Sequence, residues 1–562
     1  MSPADWGALA VLLCATFVQL VDINIVNIAI PSIQSQLNTN FASAELIIAG
    51  YQMTFAAFLM LATKLGDRFG PKQIFLIGMF GFTISSLGCA MSENQVELVG
   101  FRLLQGAASA TMFPQVLTHI QLEFPPSLRS KLLAIYGAVA GVAYLVGPAT
   151  SGILLHLNPF GVGWRSIFLV NLPIGIVALV GGVLLLRRTV SPARVDVDYL
   201  GAALFGLFTA ALVFPLAYGR ESGWPLWLVL ILIGSPIPLI AFILRERYRS
   251  TRGLEVLLPG ELISTAVFRR GIVLTVIFFM AISPFLFAFT LYLQLGQNLS
   301  PLYAGLTTLP YAAGAAVLSA FSYRISRRLG KFALLLGSSI LTAAMVLLFV
   351  LFQIRGASVD GFVVAPALVL AGAGFGIFEP SVNTVVLSGV SRRRAGVASG
   401  ALLSVQQLAG ALGIGILGLI YFSLLAASAQ YATNYVAPAI RRQLAPFSTT
   451  APQNGNLIRQ FSSCVVARAT ERDPTVNPVA CADLGNYVQS LSIPELQKPI
   501  ILGFLLKDAQ VAESVDFTRS IKYGTIYEMT LFLAAGLASL LLPRRGTGLT
   551  SEDQSTHTAP AS

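Results

Sequence analysis

Long apolar blocks alternate with short polar connections along most of this chain. About fourteen blocks reach 20 residues, the length that an α-helix needs to cross a ~30 Å hydrocarbon core. They predict membrane helices near residues 6–30, 44–63, 73–91, 95–121, 132–155, 164–186, 199–218, 225–244, 271–295, 302–323, 332–353, 361–388, 396–424 and 523–543. The first block lacks the basic start and cleavage site of a signal peptide, so we expect a retained helix. The predicted fold class is an all-α polytopic membrane protein.

Composition agrees with this prediction and gives the orientation. Of 562 residues, 55% are hydrophobic and only 11% are charged, against roughly 25% charged in soluble chains. A net charge of +11 would suggest nucleic acid in a soluble protein, but here 23 basic residues lie in alternate connections and two in the short loops between them. By the positive-inside rule, both termini are cytoplasmic and the protein is multi-pass in the cell membrane, with no nucleic-acid partner.

A weak internal repeat suggests how the chain is organised. The segment 65–70 (LGDRFG) after the second predicted span resembles 325–330 (ISRRLG) after the tenth. We therefore expect two six-helix halves, with substrate bound between them as in secondary transporters. The predicted domains are a first half, a two-helix insertion with its linkers, a second half that contains a long outside segment, and a cytoplasmic tail: 1–186, 187–270, 271–543 with 425–522, and 544–562.

Each ionisable residue inside a predicted span costs a few kcal/mol and is a functional hypothesis by default, and three of them stand out. Asp22 lies in the first span, one turn after Gln19. Its carboxyl group is a candidate to bind and release a proton, the alternative being a purely structural ion pair. Arg102 in the fourth span needs acceptors, either an acid such as Asp22 or backbone carbonyls, unless its side chain extends to the membrane surface.

Glu379 in the twelfth span is the third of these residues. It shares a helical stripe with Gly372, Gly376 and Asn383, and the glycines would let a neighbouring helix approach closely. Glu379 is a candidate to hold a proton or a cationic substrate. Alternatively, it lies near the cytoplasmic end of its span and reaches water.

Other motifs limit the chemistry. Gly147 and Pro148 interrupt the fifth span, where a proline removes a helix hydrogen bond and produces a kink. His119 and His156 lack metal-type partners, and the sequence has no phosphate-binding loop, metal-ligand pair or hydrolase motif. We therefore expect no metal, no cofactor, no ATP-driven step and no enzyme.

The outside segment contains Cys464 and Cys481. In an oxidising compartment these two residues are disulfide candidates, and free thiols are the alternative. The segment also contains an apolar run at 499–506 that is too short to span a membrane, so we expect it to pack on the outer mouth or lie at the interface. Whether this segment binds a protein partner stays open.

These motifs together resemble the major facilitator superfamily, in particular its 14-helix drug:proton antiporters of the EmrB/QacA type. The resemblance rests on five stretches in the same order: 22–31, 65–72, 102–106, 147–152 and 164–175, with 395–400 in addition. It implies a conformational latch at Asp67, Arg68 and Gly70, and a role in proton coupling for Arg102 with Gln105. It also implies that the kink at Gly147, Pro148 and Gly152 belongs to an exporter. Thr63, Pro71, Ser151 and Asn24 depart from the family pattern.

The expectation is a proton-coupled antiporter that exports lipophilic, cationic drugs or related molecules by alternating access. Its partners are protons, the small-molecule substrate and membrane lipid. Asp22, Arg102 and Glu379 are expected to couple protons, and the residues expected to contact substrate are Gln19, Asp22, Gln105, Glu379 and Asn383. The alternatives are a proton symporter that imports a nutrient or siderophore, a membrane assembly partner or sensor that acts through 425–522, and, least favoured, a polytopic transferase.

Overall fold

The computed structural model describes residues 2–187, 196–357, 361–388, 390, 395–447, 449–471 and 477–543, and within them it contains helices and no strand. The predicted tail 544–562 lies outside the described residues, as do the predicted inside charges Arg188, Arg194 and Arg392–Arg394. The helices are α1 (Pro3–Leu37), α2 (Phe41–Phe69), α3 (Pro71–Met91), α4 (Gln95–Glu123), α5 (Pro126–Leu157), α6 (Ser166–Leu169), α7 (Asn171–Leu185), α8 (Tyr199–Tyr218), α9 (Leu226–Gly234), α10 (Pro236–Thr251), α11 (Gly260–Ser264), α12 (Ala266–Leu291), α13 (Pro301–Thr307), α14 (Leu309–Leu329), α15 (Phe332–Arg355), α16 (Gly361–Leu387), α17 (Ala395–Leu444), α18 (Ala451–Thr470), α19 (Val479–Ser490) and α20 (Lys498–Leu540).

Every predicted span coincides with helical structure, but some spans are broken. The spans at 225–244 and 302–323 each consist of two helices, with α10 and α14 starting at Pro236 and Leu309. A proline lies in the first turn of both second pieces. Proline has no backbone N–H to donate to the preceding turn, so it is favoured where a helix starts and interrupts one that continues.

Twelve helical segments in the described part of the chain are long and apolar enough to cross a membrane. The two predicted spans that are not among them lie in α4 and α20. Both are more polar, because α4 contains Arg102 and several glutamines and the last span in α20 contains Glu528. The multi-pass helical architecture is therefore confirmed, while the count of fourteen spans stays a prediction.

The membrane helices pack in two groups. In the first group, α1 packs on α5 and α7, and α4 packs on α2 and α3. In the second group, α16 packs on α14 and α15, while α17 and α20 pack on each other and on α12. The groups meet where α2 contacts α17 and where α5 contacts α13 and α14. These contacts place α1, α2 and α5 at the interface between the groups.

The inserted helices pack on the outside of this arrangement. α8 contacts α2 and α17, and α10 packs on α8. An ion pair of 2.8 Å between Arg245 Nε and Asp198 Oδ1 joins the two inserted helices. Asp198 also caps the start of α8 by accepting from Gly201 N.

Residues 425–522, which we call the cap, form an extension of the second group. α17 continues to Leu444 and α20 begins at Lys498, so both helices extend beyond their predicted membrane spans, and α18 and α19 pack in the cap. Its apolar core contains Val436, Leu457, Phe461 and Val488. From the run at 499–506, Ile501 and Leu505 are also buried there. A disulfide joins Cys464 of α18 to Cys481 of α19.

Candidate functional site

The first group contains a fully buried ion pair. Arg102 Nη1 of α4 lies 2.5 Å from Asp22 Oδ2 of α1, and the two side chains are 1% and 0% exposed. Burying either charge alone would cost several kcal/mol, so each side chain requires the other. The structure thus brings together two of the three ionisable residues that the sequence singles out.

The second oxygen of Asp22 is also occupied. Gln105 Nε2 donates to Asp22 Oδ1 at 3.0 Å, and Asn171 Nδ2 of α7 donates to the same atom at 2.8 Å. Asn171 is held in turn by Ser86 Oγ of α3 at 3.1 Å. The carboxylate therefore connects α1 with α4 and α7, and any change in its charge acts on all three helices.

Arg102 is fixed on several sides. Its Nε donates to the backbone oxygen of Ile47 at 3.0 Å, and Nη1 donates to Gln105 Oε1 at 2.7 Å. The guanidinium carbon lies 4.3 Å from the centre of the Tyr51 ring, a cation–π distance. A planar guanidinium can make these hydrogen bonds and the ring contact at the same time, whereas a lysine ammonium would not.

A cavity lies between the two helix groups. Its wall comes from α1, α2, α12, α14, α16 and α17, and consists of Ile23, Asn24, Asn27, Ile48, Gln52, Phe279, Ile282, Ser283, Leu286, Tyr311, Phe375, Gln406, Gln407 and Ile414. Asp22, Gln19 and Gln105 do not line it, although all three were expected to contact substrate. They are buried within the first group instead, and the chain reaches the cavity at the next residues of α1, Ile23 and Asn24.

Glu379 connects to the same cavity through other side chains. Asn383 Nδ2 donates to Glu379 Oε1 at 3.1 Å, and Gln406 Nε2 donates to Asn383 Oδ1 at 3.2 Å. Of these three residues only Gln406 lines the cavity.

The glycines beside Glu379 allow a close helix contact. A Cβ atom at Gly372 would lie 1.8 Å from the backbone oxygen of Tyr311, and one at Gly376 would lie 2.4 Å from that of Ala315. Both distances are far below van der Waals contact, so α14 and α16 can pack this closely only with glycine at these positions. Tyr311 reaches the cavity because of this approach.

The stretch of α5 where the sequence predicts a kink lies where the two groups touch, and α5 continues through Pro148 as one helix. A Cβ atom at Gly152 would lie 2.7 Å from the backbone oxygen of Pro301, and one at Gly305 would lie 2.7 Å from that of Pro148. Gly147 packs against α1, where a Cβ atom added to this glycine would lie 2.9 Å from the Cβ atom of Asn24. Gly152 and Pro148 therefore lie in a contact between α5 and α13 across the interface, while the kink stays a prediction.

The predicted latch lies at the end of α2. Asp67 and Arg68 are exposed there, and among the described residues neither makes an ion pair within 4.0 Å. The ion pair at this position joins Lys64 Nζ to Glu255 Oε2 at 2.6 Å. Gly70 ends the helix with a φ of 94°, a backbone conformation that side-chain-bearing residues rarely adopt.

Sequence reasoning missed three residues of interest. Asn171 was part of a quoted motif but received no role, although it holds Asp22. Two buried acids were overlooked, Glu45 of α2 at 4% exposure and Glu528 of α20 at 2%. Glu528 Oε2 has no hydrogen-bond partner. The rule that flagged Asp22, an acid within a membrane span, would have found both acids.

Comparison with known proteins gives a consistent result. The family model described as Major Facilitator Superfamily matches residues 12–414. A Streptomyces coelicolor protein described as "Probable actinorhodin transporter" is 31% identical over 483 residues, covering 85% of this chain and 83% of that protein. The "Tetracenomycin C resistance and export protein" of Streptomyces glaucescens is 31% identical over 422 residues, covering 74% of this chain and 76% of that protein.

Solved structures agree at the level of the fold. A bacterial homologue of the human lysosomal transporter Spinster, described as inward-facing and unoccupied, superposes with a TM-score of 0.57 at 15% identity, covering 96% of this chain and 98% of the other. A D-xylose–proton symporter gives a TM-score of 0.52 at 16% identity, with 74% and 90% covered. At these identities the likeness concerns architecture alone.

Proposed function

The chain belongs to the Major Facilitator Superfamily and is a membrane transporter rather than an enzyme, and from this premise we propose that it is a proton-coupled antiporter that exports lipophilic small molecules. The proposed cycle is alternating access between the two helix groups around the cavity. Both termini would lie in the cytoplasm, as the distribution of basic residues predicts. Relatives described as antibiotic resistance and export proteins support the direction of transport.

The observation that carries this proposal is the buried pair of Asp22 and Arg102 directly beside the cavity wall. Ile23 and Asn24, which follow Asp22 in α1, line the cavity. Proton binding by Asp22 would remove its charge and free Arg102, so the contacts of α1 with α4 and α7 would have to rearrange. Helix α1 would thereby couple proton binding to the shape of the cavity. An antiporter needs such a coupling free energy between its two ligands.

The contact between α5 and α13 supplies the second element of the cycle. Gly152 and Gly305 bring the two groups into backbone contact at one end of the cavity. Gln294 Nε2 of the segment after α12 also donates to the backbone oxygen of Ile28 in α1, at 2.8 Å. In the proposed cycle these contacts close the outer side and break when the transporter opens outward.

The test is proton-driven transport in inside-out vesicles with a panel of neutral and cationic lipophilic dyes. We expect a pH gradient to drive dye into vesicles that contain the wild-type protein. Asp22→Asn should abolish the response to the gradient, since an amide cannot exchange a proton. Asp5→Asn makes the same chemical change at the exposed start of α1 and should leave transport within about twofold, because an exposed ion pair contributes little.

Two results would refute the proposal. The first is gradient-driven transport by Asp22→Asn at the wild-type rate. The second is dye movement in the same direction as the proton, which would identify a symporter. Thermal unfolding of each purified variant separates loss of coupling from loss of folding.

A further inference from the structure

The described residues that line the central cavity include no Asp, Glu, Lys, Arg or His. Of its fourteen described lining residues, seven are apolar or phenylalanine and the others are amides, a serine and a tyrosine. The nearest acid along the chain, Asp22, is 0% exposed and already paired with Arg102. Glu379 does not line the wall either, because it connects to the cavity only through Asn383 and Gln406. A monovalent cation bound here would therefore lose its hydration without touching a carboxylate.

The magnitudes argue against a cationic ligand. Transferring an unpaired ion out of water costs several kcal/mol even after the protein relaxes. The faces of Phe279, Phe375 and Tyr311 could return about 0.5–2 kcal/mol as cation–π attraction. The free energy of binding a cation therefore stays unfavourable, whereas an uncharged ligand does not incur this desolvation cost.

The polar part of the wall fits a ligand with hydrogen-bonding oxygens. Amide side chains both donate and accept, and Asn24, Asn27, Gln52, Gln406 and Gln407 supply five of them. Gln52 is 6% exposed, and its Oε1 is buried with no hydrogen-bond partner. Leaving such an acceptor unpaired costs about 1–3 kcal/mol, so a ligand hydroxyl that donates to it would be favoured.

The apolar part of the wall fits flat rings. The rings of Tyr311 and Phe375 lie with their centres 6.1 Å apart, and Phe279 faces the same space. Planar ring systems can stack on these side chains and gain the additional stabilisation of aromatic pairs.

We infer that the transported ligand is an uncharged, planar aromatic molecule that carries hydroxyl and carbonyl oxygens, with a hydroxyl donating to Gln52. This inference rests on the proposed export function and replaces the cationic cargo that the sequence suggests. Gln52 acts as the selecting residue, since it holds the acceptor that a cation without hydroxyl groups cannot use.

Binding to the purified protein in lipid nanodiscs tests the ligand class without transport. The probes are a panel of neutral hydroxyflavones, hydroxycoumarins and hydroxyxanthones, with ethidium and tetraphenylphosphonium as planar and non-planar cations. We expect at least one neutral probe to bind at least tenfold more tightly than either cation. Gln52→Leu should weaken that probe about tenfold, and Gln52→Glu should shift the preference toward ethidium.

Gln430→Glu in α17 provides the matched control, because it adds the same charge in the cap, away from the cavity, and should change neither affinity. The inference is overturned if the wild-type protein binds the cations more tightly than the neutral probes, or binds no neutral probe. It is also overturned if both Gln52 variants keep the wild-type selectivity and the wild-type thermal stability. Vesicle transport is scored separately. Selective binding of a neutral probe that the vesicles do not transport would support the ligand class and refute export.

Discussion

At the residue scale, the most constrained feature is the carboxylate of Asp22. It receives hydrogen bonds from Arg102, Gln105 and Asn171, and every one of these contacts lies away from water. Hydrogen bonds to a charged group contribute about 1.5–3 kcal/mol each, so a change in these contacts affects the packing of α1 against α4 and α7. In the proposed cycle, a proton bound by Asp22 would act on all of these contacts at once.

A second buried acid, Asp516, lies in the cap close to where α20 enters its last predicted span. It accepts a hydrogen bond from Ser428 of α17, and the Ser428 hydroxyl also lies 2.9 Å from the backbone oxygen of Leu424. Burial raises the pKa of Asp516 to about 7, Glu513 raises it further, and the Ser428 hydrogen bond and Arg519 lower it.

We predict that this residue makes the stability of the protein depend on pH. Because the pKa of Asp516 is higher in the folded state than its unfolded value near 3.9, its contribution is fully present below pH 4 and is lost as pH rises to 7. The loss amounts to a few kcal/mol across that window. Thermal unfolding in detergent between pH 4 and 8 measures it.

The control for this prediction is Asp516→Asn, which keeps the hydrogen-bonding shape without the titration. We expect a flatter pH profile in this variant, with higher stability than the wild type at pH 7.5. Glu513 and Asp508 also have raised pKa values because of burial, so some slope should remain. An unchanged slope in Asp516→Asn would show that Asp516 is ionised throughout.

At the element scale, contacts between helices depend on single glycines. The contact of α5 with α13 places Gly152 against the backbone of Pro301 with no room for a methyl group. We predict that Gly152→Ala separates the two helices and lowers export at least tenfold, because the closed contact between the groups cannot form. Initial rates of dye transport in vesicles measure this effect.

Gly141 of the same helix offers a matched comparison. A Cβ atom there would meet nothing within 4 Å, so Gly141→Ala should keep the wild-type rate within about twofold. Both changes alter helix propensity equally, by about 1 kcal/mol in favour of the helix. Equal rates for the two variants would mean that close packing at Gly152 has no part in the transport cycle.

Helices could be predicted from the sequence because apolar length is a local property. All fourteen predicted spans coincide with helical segments, and proline positions explain the breaks in two of them. The helices of the cap could not be predicted in this way. α18 and α19 have mixed composition, and their buried residues, such as Phe461 and Val488, become a core only when α17 and α20 pack against them.

The site could be predicted in its chemistry but not in its orientation. The sequence names Asp22, Arg102 and Gln105, and the structure joins them. It also names Asp22 as a cavity residue, whereas the cavity is reached by Ile23 and Asn24. One residue corresponds to a turn of about 100° around a helix, so an apolar span without a polar stripe does not indicate which side faces the interior. Polar residues alone also did not indicate that Gln52 and Gln406 share a cavity.

At the scale of the whole molecule, the cap stands as an extension of two membrane helices. We predict that the double variant Cys464→Ala, Cys481→Ala loosens α18 and α19 by about 3 kcal/mol, the effect of opening a loop of this length. Hydrogen exchange should become faster in these two helices and stay unchanged in α1–α5. Faster exchange throughout the protein would show instead that the cap and the membrane helices unfold as one unit.

The charge of the cargo determines how the whole protein uses energy. If one proton enters for each uncharged molecule exported, each cycle moves one positive charge inward, and a potential of 100 mV adds about 2.3 kcal/mol. That free energy corresponds to about a fiftyfold higher accumulation ratio. Exchange of one proton for one monovalent cation would move no net charge and would not respond to the potential.

We therefore predict that membrane potential alone drives export of a neutral hydroxyflavone. In inside-out vesicles at equal pH on both sides, a potassium gradient with valinomycin that makes the lumen positive should cause accumulation, and clamping the potential at zero should abolish it. Asp22→Asn should show no accumulation under either condition, because it carries no proton. Equal accumulation with and without the potential would mean that the exchange is electroneutral, and a cargo that carries one positive charge for each proton would then explain transport better than an uncharged one.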